Sequence, residues 1–207
     1  MENDYKVVKS QDVWSELYFY QKANTLYHLT FVFAHRYLSN KDRTVDQMVQ
    51  AARSGKQNIV EGLADGVTSS EMQLKLINVA RASLHELRED YHDYLDSRQL
   101  KLWDSLHPRY NSMLTFCREH NKIDDYRPYF EKWNDEEMCN IAITVCHMTD
   151  RMLSTFIEKL EKDFVENGGI KERMYNARTG YRNAMVDNLK AEITRLKSLL
   201  DSNGIKY

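Results

Sequence analysis

The sequence predicts an all-α fold, an antiparallel up-down four-helix bundle with an extra C-terminal helix. Three observations predict it. Leu, Met, Ala, Glu, Lys, Arg and Gln are abundant, while 207 residues hold only 7 glycines and 2 prolines, so long helices joined by short turns are the natural outcome. Apolar residues recur at steps of three and four over long stretches, the period of one helical face. Helix-capping patterns stand at the breaks between those stretches. The bundle takes up residues 11–167, with an insertion at 98–134 between the third and fourth long helices, and residues 170–207 form a helical suffix.

The first helix is expected from Gln11 to Leu38. One apolar row runs through Val13, Leu17, Tyr20, Tyr27, Phe31, Ala34 and Leu38, and a second through Phe19, Ala23, Leu26, Phe33 and Tyr37. Two rows are more than a surface helix needs, so this helix is either central or also faces another subunit. The turn SNKDRT follows, where Thr44 and Gln47 make a capping-box pattern that opens a second helix to Leu63. Gly66 suits its C-terminus, and Thr68 with Glu71 repeats the box before a third helix over Ser69 to Ser97. Both prolines, Pro108 and Pro128, fall in residues 98–134, which form a longer excursion with a short helix at Tyr110 to Glu119. Asn134 with Glu137 opens a fourth long helix, closed near Glu166 by Gly168-Gly169. Beyond it, Val186, Leu189, Ile193, Leu196 and Leu200 follow the spacing of a coiled-coil seam over about two heptads, so this helix depends on a partner.

The net charge is −2, unevenly placed: residues 170–207 hold 8 Lys and Arg against 4 Asp and Glu, and the remainder 21 against 27. A mildly basic tail therefore follows an acidic body. Three cysteines without a CxxC pair, an N-terminus without the apolar run of a signal peptide, and no window of about 18 apolar residues point to a cytoplasmic protein with no membrane span.

Candidate chemistry is sparse. The chain has no GxSxG, Walker, HExxH or dinucleotide fingerprint. A ferritin-like site needs two Glu-x-x-His pairs, and only Glu89 with His92 stands on a bundle helix. Histidines at i, i+7 on one helix lie about 10 Å apart, too far to share an ion. One from each of three helices, His28, His85 and His147, is the remaining metal arrangement, set against ordinary surface or hydrogen-bonded histidines. Along the third helix Lys75, Asn78, Arg81, His85, Arg88 and His92 line one polar side, which Arg53 and Lys56 extend. Such a row suits phosphate contacts, set against a solvated face balanced by its own carboxylates. In the suffix Arg173, Arg178 and Arg182 interleave with Tyr175 and Tyr181, a combination of charge and stacking that suits single-stranded nucleic acid. The expected class is a binding or scaffold protein, not an enzyme, and no cofactor is expected.

Residues 50–62, QAARSGKQNIVEG, carry Ser54, Asn58 and Glu61 on one side, while Met48, Ala52, Gly55 and Ile59 form another. Asn58 and Glu61 have no nucleophile or paired base nearby in sequence, so the stretch, Gly62 included, reads as a packing and assembly signature. The pattern Ala51-Ala52-x-Ser54-x-x-x-Asn58-Ile59-x-Glu61-Gly62 resembles the hallmark of the 23S rRNA intervening-sequence protein family. A second block, Ala80-x-x-Ser83-Leu84-x-Glu86-Leu87, is similar to that family's third-helix motif, and Tyr20-Gln21-Lys22-Ala23 resembles the start of its first helix. The likeness covers residues 15–97 and 135–167. A family proline is missing near Lys56, Ala82 stands where the family has glycine, and both the insertion and the suffix are additions. The resemblance implies a homo-oligomeric four-helix bundle, typically a pentamer. It also implies an RNA or ribonucleoprotein partner, because a related branch serves the reverse transcriptase of diversity-generating retroelements. Under it, Ser83 and Glu86 join the assembly residues.

Overall fold

A computed structural model describes residues 14–39, 41–66 and 68–204 and is helical throughout, with no strand among them. After a 3-10 turn at Trp14–Glu16 come α1 (Tyr18–Tyr37), α2 (Arg43–Asp65), α3 (Ser70–Ser97), α4 (Tyr110–Glu119), α5 (Ile123–Tyr126), α6 (Asp135–Asn167) and α7 (Ile170–Ser202). The expected start at Gln11, with Val13 of the first row, lies outside the described residues. α1, α2, α3 and α6 pack in a closed ring, each against the next and α6 against α1. Ala23, Leu26 and Phe33 of α1, Met48, Ala52 and Ile59 of α2, Ile77, Leu84 and Leu87 of α3, and Met138 and Leu153 of α6 are fully buried inside it. Each large apolar side chain so placed stabilises the fold by roughly 1.5–3 kcal/mol.

The helix starts show which local signals prevailed. The Asn134 box forms in full: its side chain accepts from the Glu137 amide at 2.8 Å, and Glu137 accepts from the Asn134 amide at 2.9 Å. The two other expected boxes are displaced. α2 is capped by Asp42, which accepts from the Thr44 amide at 2.9 Å. α3 is capped by Ser69, which accepts from Met72. The Thr68 hydroxyl instead donates to the Asp65 carbonyl at 3.2 Å and closes the preceding turn, which leaves Ser69 as the free cap. Gly168 ends α6 at φ +67°, a conformation that favours glycine.

Most of the doubled apolar character of α1 is covered within the chain. Its second row faces the ring, while Tyr20 and Tyr27 of its first row are half-buried beside the core and Phe31 stays exposed. The excursion at 98–134 is laid along α1 and α6. α5 packs on α1, and α4 on α6. Thr25 donates to the Asn121 carbonyl at 3.0 Å, Tyr37 to that of Trp133 at 2.9 Å, and Arg36 to that of Phe130. From α6, Asn140 accepts from the Trp103 amide at 2.7 Å and donates to the Lys101 carbonyl at 2.9 Å. Side chains of α1 and α6, Thr25 and Asn140 among them buried, thus satisfy irregular backbone of the excursion. Among the described residues no helix is long and apolar enough to cross a membrane.

Candidate functional site

The α2–α3 contact is built from the smallest residues of the signature. A Cβ on Gly55 would lie 2.6 Å from Leu84 Cδ2 and 2.9 Å from Leu84 Cγ, and one on Gly62 would lie 3.1 Å from Ile77 Cδ1. The absent side chains let the helices approach, which offsets the roughly 1 kcal/mol that glycine costs a helix. Beside Gly55 runs a directed relay. Asn58 Nδ2 donates to the Ser54 carbonyl at 2.9 Å and to Ser54 Oγ at 3.1 Å; Ser54 and Ser83 hydroxyls meet at 3.0 Å; Ser83 donates to the Val79 carbonyl at 3.1 Å. Because Ser83 gives its single proton to Val79, Ser54 is the donor to Ser83. The relay holds α2 and α3 in register and offers no activated hydroxyl. Glu61 and Glu86 are exposed, so neither fixes the packing of this chain's own helices.

The relay floors an open groove of about 610 Å³, with Asp46, Glu86 and Asp90 along it. Burial, then the charges of Asp93 and Glu86, push the Asp90 carboxyl up to about 6. A carboxyl raised in the folded state opposes folding when ionised. The penalty is absent below the ordinary aspartate range, grows as pH rises toward 6 and is complete above it. Asp90→Asn is therefore expected to stabilise the protein by about 1 kcal/mol at neutral pH, solvent screening of a half-exposed group included, and by nothing near pH 3.5. Thermal melts of both forms across this range check it; a constant difference at every pH would refute the assignment.

The cationic row of α3 is largely occupied by carboxylates of its own chain. Arg81 Nε donates to Asp150 Oδ1 at 2.8 Å, His85 Nε2 lies 2.9 Å from the same oxygen, and Arg88 pairs with Glu89 at 3.0 Å. Burial alone would raise Asp150; the hydrogen bond and charge of Arg81, with His85, outweigh it and hold the carboxyl below its usual range. Lys75 is exposed. Arg53 and Lys56 do not extend this row. The Lys56 ammonium sits 4.1 Å over the Tyr27 ring on the α1 side, whereas Arg81 and His85 reach α6. The expected continuous strip is thus interrupted, because α2 turns Lys56 toward α1, while Arg53 is exposed.

The three histidines of the metal arrangement do not converge. His28 shares its surroundings with Lys56, Arg127 and Asp124, while His147 shares its own with Arg88, His92, His85 and Asp150. Burial, then Lys56, lowers His28; burial, then Arg88 and His92, lowers His147. Among the described residues no group of three His, Cys, Asp or Glu side chains is placed to hold a metal ion. Cys117, Cys139 and Cys146 are free and buried, and burial pushes the thiols of Cys117 and Cys146 up to about 12, so both stay protonated at neutral pH.

Two features were not placed by sequence reasoning. The excursion closes a cavity of about 300 Å³ against α6, walled by Trp103, Phe116, Tyr129 and Trp133, with Arg109 at its rim. Its signal was the aromatic density of residues 98–134, which hold Trp103, Tyr110, Phe116, Tyr126, Tyr129, Phe130 and Trp133. The second is the degree to which α7 stands apart: none of its residues is buried. Met185, Val186, Leu189, Ile193, Leu196 and Leu199 are 45–54% exposed, as on a helix whose apolar side is uncovered. Arg178 and Arg182 are exposed in its first half, with Tyr175 and Tyr181 beside them at 61% and 54%, and Arg173 is half-buried. Comparison with family models, with curated proteins and with solved structures returns no match.

Proposed function

We propose that the protein is a non-enzymatic, homo-oligomeric scaffold: an antiparallel up-down four-helix bundle that carries α7 as its binding arm, acting in the cytoplasm on RNA or a ribonucleoprotein. One observation carries this reading. α7 exposes a long apolar row that none of the described residues buries, and such a row on a folded protein belongs to an interface. The small-residue contact and polar relay between α2 and α3 supply the rigid support. The likeness of those residues to the 23S rRNA intervening-sequence family favours self-assembly, with a pentamer as the subunit number it suggests.

The nucleic-acid part now rests on the first half of α7. Arg178 and Arg182 are exposed there among tyrosines, whereas Arg81 and Arg88 already hold carboxylates. Phosphate contacts release counterions, so affinity falls with salt at a slope set by the number of contacts. In a titration against structured RNA, Arg178→Ala with Arg182→Ala is expected to weaken binding and to flatten the salt slope by about 2, one per contact. Arg81→Ala with Arg88→Ala should leave the slope unchanged. Absence of binding at about 50 mM salt would remove RNA as the partner.

A further inference from the structure

We infer that α7 pairs with α7 of a second copy of this chain as a parallel, two-stranded coiled coil over residues 186–200. This rests on the self-assembly of the reading above, though not on its pentamer, which pairwise α7 contacts do not fit, and gives it a partner, an orientation and a register. Val186, Ile193 and Leu200 fall at the first core position of successive heptads, and Leu189 and Leu196 at the second. Val186, Leu189, Ile193 and Leu196 are about half exposed. Two of the three first positions, Val186 and Ile193, are β-branched and both second positions are leucine, the combination that favours two parallel strands, because the side chains of the two positions then meet the partner helix at different angles. The seam is bounded by polar residues: Thr179 and Arg182 occupy the core positions before it, and Asn203 the one after.

Charge decides the orientation. Lys190 and Lys197 flank the seam on one side, and Glu192 flanks it on the other together with Met185 and Leu199. In parallel strands Glu192 of each copy faces Lys197 of the other, two attractive pairs per dimer. In antiparallel strands each flank meets its own kind, which sets lysine against lysine and is repulsive. Within one chain Glu192 makes an in-helix pair with Arg195 at 3.5 Å. Arg195 lies on the side of the helix away from the seam, so this pair is compatible with the contact between copies. About two heptads make a short seam, so pairing depends on protein concentration.

Full-length protein carrying Leu196→Cys tests the register directly. Position 196 of one parallel strand adjoins position 196 of the other, and the native cysteines are buried. Mild oxidation is expected to give reducible dimers, whereas Ser198→Cys, on the outer face, gives few. Glu192→Lys and Lys197→Glu alone should each weaken association roughly fivefold, the scale of two surface ion pairs turned into like-charge contacts. The double swap should restore it. Lys197→Glu leaves the Arg195 pair untouched, so equal weakening by both single variants excludes an effect through that pair. A multi-chain particle by light scattering, with Leu196→Cys uncrosslinked and the swaps silent, would overturn the α7 pairing and leave assembly through another surface. A single chain at every concentration would overturn both.

Discussion

Gly55→Val is expected to destabilise the protein by about 3 kcal/mol or more, and Gly55→Ala by about 1. The first atom added already meets Leu84 Cδ2 at 2.6 Å and Leu84 Cγ at 2.9 Å, with the Ala80 carbonyl oxygen 3.6 Å away. Leu84 is fully buried in the ring and has little space to retreat. Overfilling a packed core costs roughly 1–3 kcal/mol. Alanine offsets part of this with its helix preference of about 1 kcal/mol over glycine. Valine adds two methyl groups and forgoes much of that gain, since its branched Cβ is restricted in a helix. Urea unfolding followed by helix content measures both. The double variant Gly55→Val with Leu84→Ala locates the clash: if the two side chains oppose each other, their combined cost is less than the sum of the single costs, by an interaction of about 1–3 kcal/mol. Additive costs would show that the strain lies elsewhere.

The same contact shows what a sequence discloses and what it withholds. That Gly55, Gly62 and Ser54 belong to a packing face follows from their size and spacing. Local codes were equally readable: the Asn134–Glu137 box and Gly168 at the end of α6 both act over a few residues. Relations over long separations were not. Arg81 and Asp150 stand 69 positions apart, and neither spacing nor composition marks them as partners, so a basic row looked more open than it is. Likewise, the two rows of α1 were legible, but a row does not say what covers it. The second row proved to face the ring, and the excursion is tied to α1 through Lys22, Thr25, Arg36 and Tyr37 by backbone carbonyls, and these have no letter in the sequence. The direction of the Ser54 relay is hidden for a similar reason, because it depends on Ser83 being committed to the Val79 carbonyl.

Lys22 is the residue where that blindness mattered most, and Lys22→Ala is expected to cost about 3 kcal/mol. Within Tyr20-Gln21-Lys22-Ala23 it reads as one more polar residue near the start of a helix. In the structure it is fully buried, and its ammonium donates to the carbonyl of Cys117 and, at 3.2 Å, to that of His120. Both acceptors stand at the end of α4, where carbonyls lack intrahelical donors and the helix dipole is negative. Lys22 thus pins the excursion to α1 and satisfies the buried Cys117 carbonyl. Truncation to alanine takes the Lys22 donor from the Cys117 carbonyl, while that of His120 keeps the Tyr126 hydroxyl at 3.0 Å. It also opens a cavity, and the two costs add. Methionine fills the space without the donors, so Lys22→Met should cost less, about 1–2 kcal/mol. Hydrogen exchange should rise in α4 and α5 more than in α2 or α3 for both variants; unchanged exchange in α4 would refute the pin.

The pH dependence has a sign of its own. Burial lowers the pKa of Lys22 below the ordinary lysine range. The folded protein therefore binds this proton less tightly than the unfolded chain does, and holding it charged opposes folding. That penalty is full below the depressed folded value and disappears as pH rises through it to the ordinary lysine value. The stability of the native protein relative to Lys22→Met should accordingly increase on the alkaline side, while the neutral amine still donates to both carbonyls. A stabilising salt bridge at this position would give the opposite slope. The slope thus separates a lysine retained for its hydrogen bonds from one retained for its charge.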